Sequence, residues 1–193
     1  MYRIAEFDHD GVDGANFNPY MGKSCMKALI DKDHPERALV GLGYTSNPDA
    51  RETQDVLLWD GRAYWEFIAE RTLSWAEELG IVENAGLVMA AAYENPKGSG
   101  QMYSSHLTRC REIVGNKLWF LIPGVGKQGG ATYETVINAF AGWGSIAINS
   151  TRDIISASMG YDYAYAAGEK AKESNNALIV ALDSLPPERL LTA

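Results

Sequence analysis

Cysteine is scarce in this sequence: Cys25 and Cys110 are the two thiols in 193 residues. Neither sits in a CxxC pair or in a Cys/His cluster, so neither a disulfide framework nor a structural zinc site is implied, and two free thiols suit a reducing cytoplasm. Positive charge is short as well. Lys and Arg number 17 against 25 Asp and Glu, a net charge of -8, and the basic residues are scattered instead of forming a stripe with aromatics. A surface of that sign opposes binding to polyanions, so no nucleic-acid partner is expected. Long hydrophobic runs are also missing. The first residues, Met1-Tyr2-Arg3-Ile4-Ala5-Glu6-Phe7-Asp8-His9-Asp10, carry charges where a signal peptide would be apolar, and the run 85–93 is too short for a bilayer. No membrane partner and a cytoplasmic location are therefore expected. What is present is 46% hydrophobic and 22% charged, enough for one substantial core and far from disordered compositions.

Short apolar runs ending in turn residues alternate with longer amphipathic stretches, the pattern of strand-helix units on a parallel sheet. The expected strands are 14–18, 38–44, 86–92, 118–122 and 145–149. Helices are expected over 23–30, over 63–79 with Tyr64, Phe67, Ile68, Trp75 and Leu79 turned inward, over 102–114, and after each of the last two strands. The segment Thr45-Ser46-Asn47-Pro48-Asp49 reads as a loop, because the residue before proline avoids helix. Tyr161, Tyr163 and Tyr165 read as packing residues near a helix start, and Asp31-Lys32-Asp33-His34-Pro35 as a solvated turn.

Chemistry concentrates late in the chain. Pro123-Gly124-Val125-Gly126-Lys127-Gln128-Gly129-Gly130 closes one strand, and Ile148-Asn149-Ser150-Thr151-Arg152 closes the next. Glycines leave no Cβ to hold backbone N–H groups away from an anion, and a following helix adds its positive end. Arg152 offers a permanently charged planar fork matched to phosphate oxygens. Taken singly, Ser46 reads as a turn former and Arg152 as a surface residue at a helix start. A glycine-rich turn and a basic turn after two consecutive late strands are the layout found after strands seven and eight of phosphate-binding barrels. The fold class is therefore read as α/β, a partial (β/α)8 TIM barrel of five parallel strand-helix units corresponding to strands 4 to 8. Residues 1–182 would form the incomplete barrel domain and residues 183–193 a C-terminal tail.

Four motifs in order, Asn18-Pro19-Tyr20-Met21-Gly22, Thr45-Ser46-Asn47-Pro48, the segment from Pro123 to Gly130, and Asn149-Ser150-Thr151-Arg152-Asp153-Ile154-Ile155, resemble the orotidine 5′-phosphate decarboxylase family in its longer bacterial form. The resemblance implies a (β/α)8 barrel that acts as a homodimer and turns orotidine 5′-phosphate into uridine monophosphate and carbon dioxide without metal or organic cofactor. It also implies that Gln128 and Arg152 hold the substrate phosphate with the backbone of Thr151 beside them. Ser46 would contact the edge of the pyrimidine, and Pro123, Val125 and Gly126 would line the site.

The family's Asp-x-Lys-x-x-Asp cluster, which does the chemistry, does not occur in these residues, so no catalytic residue is assigned. The expectation is a binding half that is inactive alone, a fragment or the product of a shortened gene. A phosphate-ligand binding module without chemistry, or another phosphate-binding barrel enzyme such as a sugar-phosphate isomerase, stands as the alternative. Asp8-His9-Asp10 precedes the first strand, away from the loop ends where ligands gather, and no metal is expected there.

Overall fold

Short apolar runs become the strands of the large sheet in the computed structural model, which describes Phe7, residues 11–125 and residues 131–190. The strands are β1 (Gly14–Phe17), β2 (Ala38–Tyr44), β3 (Ala85–Met89), β4 (Tyr93–Glu94), β5 (Met102–Tyr103), β6 (Trp119–Pro123) and β7 (Ile146–Asn149). Five of them make one sheet in the order β1-β2-β3-β6-β7. Gly14 pairs with Ala38, Leu39 with Ala85 and Gly86 with Trp119, each in parallel register. This is the α/β architecture with five parallel strands expected from the periodicity. Glycine is needed at position 86, where a Cβ would lie 2.7 Å from the Trp119 ring.

The residues group into two compact units, one of 1–89 with 110–121 and the other of 90–109 with 122–193. In the first unit, β1 leads through a 3₁₀ turn, Pro19–Met21, into α1 (Lys23–Lys27), shorter than the expected 23–30. Helices α2 (Arg51–Gln54) and α3 (Tyr64–Leu79) follow β2. Helix α3 starts with Glu66 accepting the Ala63 N–H at 2.8 Å and stops at Gly80, whose φ of 71° suits only glycine at low cost. Its buried stripe is Trp65, Ile68, Ala69, Thr72 and Ala76, not the expected Tyr64, Phe67, Trp75 and Leu79; Ile68 alone is common to both. The reason is steric. Ala69 and Ala76 let the helix axis approach the sheet, Trp65 packs on Tyr44 with ring centroids 5.4 Å apart, and the other aromatics fall to the flanks.

The alternate face of this unit's strands is less covered. An open groove of about 600 Å³ runs along it, lined by Asn16, Val40, Trp119 and Leu121 among others. Asp31 also departs from the solvated turn expected of it: it is buried, its Oδ2 is 2.9 Å from Arg37 Nη1, and its Oδ1 accepts the Asp33 N–H.

In the second unit, residues 102–103 do not start the expected helix. They form β5, which pairs antiparallel with β4, and the helix α4 (Ser105–Val114) begins two residues later. The Tyr103 ring lies 5.2 Å from that of Tyr93 and stacks on His106 at 5.3 Å. Glu94 accepts the N–H groups of Gly98 and Gly100, which closes the turn between β4 and β5. After α5 (Thr132–Ala139) and β7 come α6 (Arg152–Ile155), α7 (Tyr163–Asp183) and α8 (Pro187–Leu190). Val136, Phe140, Ala181 and Leu185 form this unit's core with Ile146 against them. Arg189 donates to the carbonyls of Ile137 and Phe140, so α8 caps the end of α5. Tyr161, Tyr163 and Tyr165 are exposed, not packed as expected.

Candidate functional site

The candidate groups follow the C-terminal ends of strands, the edge at which barrels and open parallel sheets collect ligands. After β2, Tyr44 is buried and its hydroxyl donates to Asp55 Oδ2 at 3.3 Å. The next residue, Thr45, is held twice: its N–H donates to Gln54 Oε1 at 2.9 Å, and its hydroxyl accepts Gln54 Nε2 at 3.0 Å. Gln54 is the last residue of α2, and Ala50, buried before that helix, accepts its N–H at 2.8 Å. The segment between these anchors, with Ser46 in it, is exposed.

After β1, Asn18 Oδ1 accepts the Tyr20 N–H at 3.0 Å and sets the turn of Asn18-Pro19-Tyr20-Met21-Gly22. Cys25 donates its thiol proton to Gly22 O at 2.8 Å, and burial pushes that thiol up. Cys110 is fully buried, and burial pushes its thiol up to about 12, so it is held as an inert thiol.

The glycine-rich turn has its base in the second unit. Three alanines, Ala90 to Ala92, continue from β3 and are all buried. The Ala91 N–H donates to Pro123 O at 3.0 Å, and Ala92 O accepts the Ala131 N–H at 3.1 Å, so both ends of the turn are tied to neighbouring residues. The Ala92 N–H donates to the hydroxyl of Thr135 in α5 at 2.9 Å. His106 Nε2 lies 2.7 Å from Ala90 O and holds the same tract from its other side. Pro123 and Val125 are half-buried. Gly126 and Gln128 lie outside the described residues.

The neighbouring strand β7 ends in Asn149, whose Oδ1 accepts the Thr151 hydroxyl at 2.8 Å. Arg152 is the first residue of α6 and is exposed, while Asp153 beside it is buried. Pro123, the last residue of β6, and Asn149, the last residue of β7, thus end adjacent strands of one sheet. Exposed Arg152 can present its guanidinium to an oxyanion.

Among the described residues there is no group of three or more His, Cys, Asp or Glu that could hold a metal ion. Among the same residues, no helix is long and apolar enough to cross a membrane. Asp8-His9-Asp10 lies outside the described residues. Gln54, Thr135 and the three alanines carry no motif of their own in the sequence. Only a polar residue a short distance beyond each loop could have hinted at them.

Residues 1–167 match the family model described as orotidine 5′-phosphate decarboxylase / HUMPS family. The orotidine 5′-phosphate decarboxylase of Aromatoleum aromaticum is 30% identical over 179 residues, which cover 92% of this chain and 60% of that protein. That of Cupriavidus taiwanensis is 32% identical over 178 residues, 92% of this chain and 59% of that one. In fold, the chain is similar to the crystal structure of the Plasmodium berghei orotidine 5′-monophosphate decarboxylase, with a TM-score of 0.75 at 22% identity, covering 94% of this chain and 52% of that one. The chain therefore spans about 60% of the length of the curated relatives it matches. These relatives are decarboxylases, and they do not favour the isomerase or non-catalytic readings.

Proposed function

The chain belongs to the orotidine 5′-phosphate decarboxylase / HUMPS family, and on that premise we propose that it is the phosphate- and base-binding half of an orotidine 5′-phosphate decarboxylase. The observation that carries this reading is that β6 and β7 are adjacent strands, the first ending in Pro123, whose carbonyl Ala91 holds, and the second followed by exposed Arg152. Arg152, Thr151 and Gln128 take the phosphate. Ser46 meets the pyrimidine edge, with Pro123, Val125 and Gly126 lining the site.

Loss of carbon dioxide from the substrate leaves negative charge on the pyrimidine carbon, which a positioned cation must stabilise. The lysine and aspartates of an Asp-x-Lys-x-x-Asp cluster would serve, and this sequence has no such cluster. The phosphate is several bonds from the reacting carbon, so the groups present here contribute binding and orientation. The chemistry is assigned to strands supplied by further polypeptide. The complete enzyme is a cytoplasmic homodimer that uses no cofactor.

The test is calorimetric titration of the chain with uridine monophosphate. Binding is expected, and Arg152→Ala should weaken it by roughly 10- to 100-fold, the value of a charge-assisted hydrogen bond of about 1.5–3 kcal/mol. Equal affinity in the two proteins would remove Arg152 from the phosphate site.

A further inference from the structure

Gln54 belongs to no motif, yet its side chain meets both polar groups of Thr45, the residue next to Ser46. Its orientation is forced by chemistry. The backbone N–H of Thr45 can only donate, so the carboxamide oxygen must face it, and the NH₂ group is then left against the Thr45 hydroxyl. One side chain therefore pins main chain and side chain of the same residue, which fixes the Tyr44–Thr45 peptide and the Thr45 rotamer immediately before Ser46. The other end of the exposed segment is tied by Ala50, whose N–H donates to Asn47 O at 3.1 Å and whose carbonyl accepts the Gln54 N–H. The residues with freedom left are the few between these anchors.

We infer that Gln54 is a positioning residue that sets base specificity: by holding Thr45 it fixes where Ser46 stands, and so determines the preference for a pyrimidine nucleotide over a bare sugar phosphate. The inference rests on the proposed role of Ser46 at the pyrimidine. A group displaced by about an ångström loses most of a hydrogen bond's value, and the phosphate contacts lie on other strands. Loss of Gln54 should therefore lower affinity for the nucleotide and leave the sugar phosphate alone.

The experiment measures the affinity ratio of uridine monophosphate to ribose 5-phosphate by calorimetry in the full chain and three variants. Gln54→Leu, of similar volume and without polar atoms, should reduce that ratio roughly fivefold or more, with ribose 5-phosphate affinity within about twofold of the parent. Thr45→Val, which removes only the hydroxyl contact, should fall between. Gln54→Glu should recover most of the ratio, because a carboxylate accepts from both the Thr45 N–H and its hydroxyl, and any repulsion of the phosphate acts on both ligands alike. Hydrogen exchange at the Thr45 amide of the parent chain, which needs no variant to fold, should be slow.

A ratio unchanged in Gln54→Leu, or a fast-exchanging Thr45 amide, overturns the assignment to Gln54 while leaving the decarboxylase reading intact. A parent chain that does not distinguish the two ligands overturns that reading and this inference with it.

Discussion

Thr135 is fully buried, and its hydroxyl accepts the Ala92 N–H at 2.9 Å, one step from the Ala92 carbonyl that holds Ala131. Thr135→Val keeps the shape and leaves a buried N–H without its acceptor. The expected cost is about 1–3 kcal/mol of stability in urea unfolding, together with weaker uridine monophosphate binding, because Ala92, whose carbonyl holds Ala131, loses a support. Full stability in the valine variant would show that this hydrogen bond does not hold the turn. At this scale the sequence was legible where a residue type states its chemistry. Asn47 before Pro48 states a loop, and residues 45–47 lie outside helix and strand. Asp31 was not legible: among charged neighbours it reads as solvated, and only folding brings Arg37 within 2.9 Å and buries the pair. Gln54 and Thr135 were silent for a similar reason, since each acts through a contact that no local pattern encodes.

The turn between β4 and β5 shows what one carboxylate does for an element. Glu94 receives two backbone N–H groups, from Gly98 at 2.6 Å and Gly100 at 2.5 Å, and these hold its carboxyl below the usual glutamate range. A group whose folded value is depressed contributes fully above its unfolded value, about pH 4.3, and that contribution is lost as pH falls through the lower folded value. The Gly98 and Gly100 amide resonances should therefore move together in an NMR titration from about pH 6 to about pH 3, with a midpoint below the ordinary glutamate value. A midpoint at or above it would mean that the clasp is absent in solution. The five strands of the large sheet were the most legible elements, each found within a few residues, because short apolar runs have few other uses. The β4–β5 ladder escaped because two-residue strands have no period. The face of α3 was misjudged because large aromatics drew the stripe, whereas close packing on the sheet selects Ala69 and Ala76.

Five parallel strands leave a question of cover, since all-parallel sheets are usually buried on both faces. In the first unit the groove face keeps Val40, Trp119 and Leu121 along an opening of about 600 Å³. The chain spans about 60% of its relatives' length, and its five parallel strands match the fold of the orotidine 5′-monophosphate decarboxylase structures it resembles. The five parallel strands of the large sheet were legible from periodicity. The separation into two compact units was not, because nothing in the composition changes at residue 90 or residue 122. The central claim is that this chain grips the nucleotide and does not turn it over. It is tested most directly by release of carbon dioxide from orotidine 5′-phosphate, assayed with the purified chain alone. The account predicts no release above the enzyme-free blank. Turnover at the rate of the Cupriavidus taiwanensis enzyme measured alongside would contradict it.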